Sequence, residues 1–571
     1  MSSAHDAYAA ARDFLFDTRD DYDAAVAGFE WPDITGPFNW AIDWFDRIAH
    51  GKADSIALWI VEEDGSEEKY TFSQMRERSD KLAAWLREQG LGKDDAVLVM
   101  LSNQVELWDS MLAIMKIGGV IAPTTTALGA ADLRERIDRA DAKGILCGPD
   151  DANKLYWARD ELPELRLLSA GPTTEGDGFL DIRTAQERDD APACDVVTDA
   201  TDPLLLYFTS GTTSRPKLVE HTQVSYPVGH LSTMYWLGLQ PDDVHLAISS
   251  PGWAKHAWSC FFAPWIAGAA VFTYNYARFD AVGLLREMER CGVTTFCAPP
   301  TVWRMLIQAD IAGRKGSLRE IVGAGEPLNP EVIAQVEKHW GLTIRDGFGQ
   351  TETTAQVGNS PGQEVVAGSM GRPLPGIPSV LVDPMTGELA TDEGELCLDL
   401  SKHPVALMAG YRDDQTRNDE AMAGGYYHTG DVASRDSTGR ITFVGRTDDV
   451  FKASDYKISP FELESVLMEH PAVAESAVVP APDPVRLAVP KAYVVLAAGY
   501  EQNAETAESI LRHCRENLAP FQRLRRLEFG ELPKTISGKI RRVELRVREE
   551  EIQGTRPEGE YRDDDFPGLK G

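Results

Sequence analysis

The chain is short of positive charge, of any cysteine pairing pattern and of long apolar runs, and each shortage closes off a class of function. Lysine and arginine total 57 against 90 aspartates and glutamates, a formal net charge of −33. Such a surface repels nucleic acid and anionic membranes, whose binding depends on clustered Lys and Arg. The cysteines are Cys147, Cys194, Cys260, Cys291, Cys297, Cys397 and Cys514, odd in number and without a C-x-x-C spacing. That argues against a disulfide framework or a structural zinc and for a reducing compartment. The opening Met1-Ser-Ser-Ala-His-Asp6 has no basic stretch leading into an apolar one, so it does not read as a signal peptide, and the expected location is cytoplasmic. Residues 257–277 carry no charge, but Ser259, Pro264, Gly268 and Asn275 interrupt them. They read as a buried helix leading into a buried strand, not as a membrane span. No internal repeat is visible.

What is present is an ordinary globular composition, 43% hydrophobic and 26% charged, over 571 residues. That length exceeds a single core and predicts two or more domains. Apolar runs at 96–101, 120–122, 144–147, 204–208, 244–248, 270–274 and 294–297 alternate with helix-like stretches at 105–117, 133–140, 223–236, 282–291 and 330–340, which predicts a parallel α/β sheet flanked by helices. Thr71-Phe-Ser-Gln74 has the form of a capping box ahead of a helix that ends at Gly90. Beyond Gly371 short alternating strands and turns predict a β-rich closing part of the large domain. The texture changes again near Arg446-Thr-Asp448-Asp449. Ser459-Pro-Phe-Glu462 then opens a helix, and a small α+β domain of about 120 residues is expected. The polar stretch 553–571 is expected to fray.

Several loops carry chemistry. The apolar run 204–208 leads into Thr209-Ser210-Gly211-Thr212-Thr213-Ser214-Arg215-Pro216-Lys217. Hydroxyls, successive amides around a glycine and a lysine suit phosphate. The run is not a Walker A motif, because Pro216 precedes the lysine and Leu218 follows it. Gly323-Ala-Gly325-Glu326-Pro327 would let a flat ring approach backbone. Asp346-Gly347-Phe348-Gly349-Gln350-Thr351-Glu352 offers a carboxylate of the hard-oxygen kind that suits Mg²⁺. Tyr427-His-Thr-Gly-Asp431 supplies a carboxylate suited to a ribose diol, with Arg446 fifteen residues later, and Pro533-Lys-Thr-Ile-Ser-Gly-Lys539 is another glycine–hydroxyl–lysine loop. Taken singly, each is equally what a plain surface turn looks like.

In this order and spacing the motifs resemble the adenylate-forming acyl-CoA synthetases over almost the whole chain. The likeness is nearest to the medium-chain members through Phe38-Asn-Trp40, Asp43-Trp-Phe45, Glu220-His221 and Ser459-Pro-Phe-Glu-Leu-Glu464. The resemblance implies an N-terminal domain over 1–447, a mobile C-terminal lid over 448–571 and a hinge at Asp448. It implies that ATP and a carboxylic acid give an acyl-adenylate and diphosphate, and that coenzyme A then gives the thioester. Lys539, Glu352 and Thr209 would be catalytic, with Glu352 on Mg²⁺. Thr209, Ser210, Gly211, Thr212, Thr213 and Lys217 would hold phosphates. Gly325, Glu326 and Pro327 with Phe348 would surround the base, and Asp346, Gly347, Gly349, Gln350, Thr351, Asp431, Arg446, Lys457 and Lys539 would complete the nucleotide site. Trp253, Lys255, His256 and Gly349 would line the acyl pocket. Where acetyl-specific relatives carry tryptophan, Gly349 is expected to leave volume for medium-chain, branched or aromatic acids. Ser214 and Asp455 depart from glycines common in the family, and Asp455 bears on the thioester step. The alternatives are a stand-alone enzyme that loads a carrier protein and a catalytically dead adenine-nucleotide-binding regulator. A homodimer is compatible with the sequence; nucleic acid and a membrane are not expected partners.

Overall fold

A computed structural model describes residues 3–174, 177–209, 216–326, 328–447, 449–453, 456–483, 487–534, 540–552 and 555–569. Contacts divide the chain into two compact units, Met1–Ser379 with Leu398–Tyr427, and Val380–Cys397 with His428–Gly571. Asp448 lies outside the described residues, within the span of the second unit.

The first unit holds two large sheets. In the nine-stranded one, Ile56–Glu62, Ala270–Asn275, Val244–Ala247, Thr295–Ala298, Glu320–Ala324 and Arg345–Gly349 are successive parallel neighbours. In the eight-stranded one, Pro203–Thr209, Val120–Pro123, Ala96–Met100, Ala142–Cys147 and Arg166–Ser169 run parallel in that order, and Lys217–Thr222 turns back antiparallel on Pro203–Thr209. Helices such as Val105–Lys116 and Ala281–Arg290 form the crossovers. Sheets covered on both faces have strands without polar alternation, and Ala96–Met100 is buried at every position.

The uncharged stretch resolves as expected. Short helical segments Ala254–Ala257, Trp258–Phe262 and Ala263–Ala267 end at Gly268, and Ala270–Asn275 enters the nine-stranded sheet between Val244–Ala247 and Ile56–Glu62. Among the described residues no helix is long and apolar enough to cross a membrane. Thr71 and Gln74 form the reciprocal capping box at the start of Phe72–Glu88. The helix expected over 223–236 differs. It begins only at His230; residues 223–229 form turns, in which Pro227 lacks an amide to donate, and a Cβ at Gly229 would meet the Ser225 carbonyl oxygen and Ala406.

The second unit contains most of the five-stranded sheet Leu389–Ala390, Ser379–Val382, Glu393–Asp399, Tyr426–Arg435, Ile441–Arg446. It also contains the four-stranded sheet Val473–Asp483, Leu487–Leu496, Arg526–Phe529, Glu560–Arg562, with helices Pro460–Met468, Ala504–Asn517 and Arg542–Ile552. The expected fraying of the tail does not occur over its described part. Glu560–Arg562 is an edge strand, and Phe566 and Leu569 are buried in the same core as Leu511 and Leu527. A polar composition hides two apolar anchors and two buried carboxylates, Glu560 and Asp563, and these decide the matter.

Candidate active site

The parallel strands deliver the motif loops at their C-terminal ends, the usual place for ligands in α/β sheets. Thr209 ends its strand and pairs across to Lys217, so the two residues flank the phosphate-type loop; Ser210, Gly211, Thr212 and Thr213 lie outside the described residues. Glu352 follows the strand Arg345–Gly349 and is buried. Its Oε1 accepts the Tyr411 hydroxyl at 2.9 Å and lies 3.7 Å from Lys217 Nζ, which itself donates to the Tyr411 oxygen at 3.1 Å. The Met408 amide donates to the Glu352 carbonyl at 2.8 Å. One residue earlier, the Thr351 carbonyl accepts Nε2–H of His221 at 2.7 Å, and Ser225 Oγ lies 3.0 Å from His221 Nδ1. Burial pushes the His221 imidazole down to about 3, so it stays neutral with its proton on Nε2. Gln350 Oε1 accepts the Tyr427 hydroxyl at 2.8 Å. Tyr411 and the role of His221 escape the sequence reading. Nothing local connects position 411 to 352 or 217; only the short strand Gly410–Tyr411 laid against Lys217–Thr222 does so.

The neighbouring strand ends form a second cluster. Gly325 follows Glu320–Ala324 with φ +108°, and no atom lies within 4 Å of where a Cβ would stand. Backbone open on that side admits a flat ligand, and the left-handed φ favours glycine. Glu326 takes a hydrogen bond from Thr301 Oγ1 at 3.3 Å; Pro327 lies outside the described residues. Asp346 is fully enclosed, and burial pushes its carboxyl up to about 7 against the opposing pull of the Gly347 and Leu328 amides. The folded protein therefore holds a proton here that the unfolded chain releases near pH 4, and stability falls with rising pH between about 4 and 7, by up to about 1.4 kcal/mol per unit. Asp346→Asn is expected to remove that slope. Melting curves from pH 4.5 to 8 should show the variant gaining on the wild type up to about pH 7 and then running level; parallel curves would refute the assignment.

Gly349 corrects an expectation. The space beside it is filled, not empty: a Cβ there would strike the Thr354 carbonyl oxygen, Ala355 Cα and the Trp258 ring. Trp258 is held by its Nε1–H donating to Tyr226 Oη at 2.6 Å. A missing side chain is visible in sequence; the distant indole that takes its place is not. Gly349→Ala is expected to lower stability by about 1–3 kcal/mol through overpacking, and a denaturant midpoint equal to wild type would contradict this contact. Phe348 pairs with Val357 on the adjacent antiparallel strand.

The residues expected to line the acyl pocket lie in two places. Trp253 and His256 line a cavity of about 10 Å³ with Leu107, Met111, Ile121 and Tyr207. His256 Nε2 is 3.1 Å from Asn103 Oδ1, and burial pushes its imidazole down to about 3. Lys255 points elsewhere, donating from Nζ to the Ala324 carbonyl at 2.9 Å beside Gly325.

In the second unit, Asp431 and Arg446 face each other across paired strands, 3.1 Å apart, and Arg446 also donates to the Thr429 carbonyl at 3.0 Å. The turn is held from the neighbouring strand. Thr429 Oγ1 donates to Leu396 O at 2.6 Å, and the Gly430 amide donates to Glu395 Oε1 at 2.7 Å. Lys457 lies in the strand Tyr456–Ile458 opposite Lys452, with only its backbone described. Lys539 lies outside the described residues; on either side of its loop, Lys534 and Ile540 form a bridge.

Comparison with known proteins bears on the family and the fold. The model of the AMP-binding enzyme family matches residues 45–412, and that of the AMP-binding enzyme C-terminal domain matches residues 462–539. The chain is 43% identical over 522 residues to 4-hydroxybutyrate–CoA ligase 1 of Metallosphaera sedula, covering 90% of this chain and 91% of that one. It is 38% identical over 529 residues to the mitochondrial acyl-coenzyme A synthetase ACSM3 of Rattus norvegicus, covering 90% of each. A crystal structure of the Brucella canis acyl-CoA synthetase superposes with a TM-score of 0.71 at 33% identity, over 94% of this chain and all of the other. With sheets, strand-end loops and both family matches in agreement, the chain belongs to the AMP-binding enzyme family, as an adenylate-forming acid–thiol ligase of the acyl-CoA synthetase kind.

Proposed function

We propose that residues 1–447 bind ATP and a carboxylic acid, and that residues 448–571 act as a lid turning about Asp448 between two half-reactions. An oxygen of the acid carboxylate attacks the α-phosphorus of ATP. The bond to the bridging oxygen breaks, diphosphate leaves, and an acyl-adenylate remains. The coenzyme A sulfur then attacks the acyl carbon, and AMP departs with the electron pair of the acyl–oxygen bond. The observation that carries this reading is the buried carboxylate of Glu352, held by Tyr411 next to Lys217 at the flank of the phosphate loop.

That donor set fits Mg²⁺, which prefers one or two carboxylates plus nucleotide phosphates and water. When bound, the ion would neutralise phosphate charge on ATP. Thr209 through Thr213 and Lys217 would grip the β- and γ-phosphates and release them as diphosphate. Gly325–Pro327 with Phe348 would surround the adenine, the rest of 346–351 would complete the nucleotide site, and Asp431, oriented by Arg446, would take the ribose hydroxyls. Lys457 and Lys539 would add charge at the nucleotide, Lys539 between the acid and the α-phosphate.

The substrate we propose is a medium-chain, branched or aromatic acid. The apolar lining around Trp253 and His256 supports this, and the free volume there, enough for a single water, implies that the acyl chain displaces side chains as it enters. Met111 has the flexibility to yield. The relative named for 4-hydroxybutyrate adds a short hydroxy acid to the candidates. The compartment we propose is reducing and cytoplasmic, in keeping with the free thiols of all seven cysteines.

The test is ATP–diphosphate exchange over a panel of such acids, followed by loss of free thiol with coenzyme A. Exchange with at least one acid and matching thiol loss are expected. Exchange without thiol loss would replace the thioester step by carrier loading, and no exchange with any acid would remove the catalytic reading altogether.

A further inference from the structure

Glu395, Cys397 and His428 lie close together in the second unit and have no part in the chemistry above. Glu395 and Cys397 are two residues apart on the strand Glu393–Asp399 and so project from the same face. His428 comes from the neighbouring strand Tyr426–Arg435. The three ligand-type atoms lie within 4.8 Å of one another. His428 Nδ1 is 2.8 Å from Glu395 Oε2 and 3.6 Å from Cys397 Sγ. Cys397 and Glu395 are buried, and the His428 side chain is 25% exposed, which leaves an approach from one side.

We propose that Cys397, His428 and Glu395 bind a divalent transition cation of the Zn²⁺ type, with water in the fourth position. In a tetrahedral zinc site, bonds of about 2.3 Å to sulfur and about 2.0 Å to nitrogen set those donors about 3.5 Å apart. The observed sulfur–nitrogen separation of 3.6 Å already matches. Nitrogen and carboxylate oxygen would stand about 3.3 Å apart in the same geometry, so the His428–Glu395 contact has to open by about half an ångström, a small side-chain rotation. Glu395 Oε1 can stay on the Gly430 amide meanwhile. Binding releases the thiol proton and trades the His428–Glu395 hydrogen bond for two metal bonds. The mixed sulfur, imidazole and carboxylate set selects a borderline ion over Mg²⁺, which takes oxygen ligands in an octahedron. The site is independent of whether the chain makes acyl-CoA.

The test uses the full chain, stripped with a chelator and titrated with Co²⁺, whose thiolate-to-metal absorption reports a sulfur ligand. One equivalent is expected to bind with that band, and one equivalent of Zn²⁺ to displace it. Cys397→Ser should abolish the band, and His428→Gln should weaken binding at least tenfold; Cys194→Ser, altering a cysteine outside the cluster, should change neither. The site is overturned if Co²⁺ binds without the band, if the band survives Cys397→Ser, or if no stoichiometric binding occurs. In any of those cases Glu395 and His428 serve only as a hydrogen-bonded clasp on the turn before Asp431. Should Cys397→Ser misfold, His428→Gln decides the question through affinity alone.

Discussion

Replacing Lys539 by alanine is expected to slow acyl-adenylate formation about a thousandfold, the usual scale for removing one preorganised donor at a reacting centre. The reason is electrostatic. A carboxylate must approach a polyanionic triphosphate, and two anions meet only where fixed positive charge offsets their repulsion. Lys217 already lies 3.7 Å from Glu352 Oε1 and so is committed to the phosphate flank. Lys539 is the lysine assigned to the acid and α-phosphate. The second half-reaction has no such encounter, so thioester formation from supplied acyl-adenylate should retain most of its rate. The measurement pairs ATP–diphosphate exchange with single-turnover thiol consumption. Equal loss of both steps would contradict a lid that presents different residues to each.

Lys491→Met is expected to destabilise the second unit by about 3–5 kcal/mol, the range for leaving buried charge without its partner. Lys491 is fully buried, and its Nζ lies 2.9 Å from Glu528, 2.7 Å from Glu549 and 2.9 Å from Glu560. These carboxylates come from the strand Arg526–Phe529, the helix Arg542–Ile552 and the edge strand Glu560–Arg562, so one ammonium ties three separate segments to the strand Leu487–Leu496. Arg548 and Arg562 pair with Glu528 and Glu560 and complete the charge balance, and Tyr493 donates to Glu549. Methionine fills the volume but leaves Glu549 facing the other carboxylates without a cation. Hydrogen exchange over 491–496, 526–529 and 560–562 should rise in the variant, and Lys491→Met with Glu549→Gln should recover part of the loss. Unchanged protection in the single variant would show that the arginines alone hold the cluster.

Much of the fold was legible because its signals are local. Apolar runs too short for helices, flanked by glycine and proline, located the parallel strands. The capping box at Thr71 and the proline after Ser459 located helix starts to the residue. Where helical periodicity misled, at 223–229, the chain forms turns instead, and Pro227 removes an amide from the helical ladder. The tail was misread for a different reason. Lys491 draws Glu560 inward, and no composition count over 553–571 contains that lysine.

The motif residues were recognisable because phosphate, ribose and magnesium impose narrow choices of residue type on a loop. Their partners were not. Tyr411 on Glu352, His221 on the Thr351 carbonyl and Trp258 against Gly349 are contacts between positions 59 to 130 residues apart, made by side chains whose chemistry is unremarkable in sequence. By itself the sequence determined the alternation of strands and helices, the family and the loops proposed to meet the nucleotide, since these follow from local periodicity and residue chemistry. Tertiary structure alone decided which side chains hold those loops, that the space at Gly349 is closed, and that Glu395, Cys397 and His428 converge. Long-range packing is set by how sheets and helices fill space together, and no single stretch of chain carries that information.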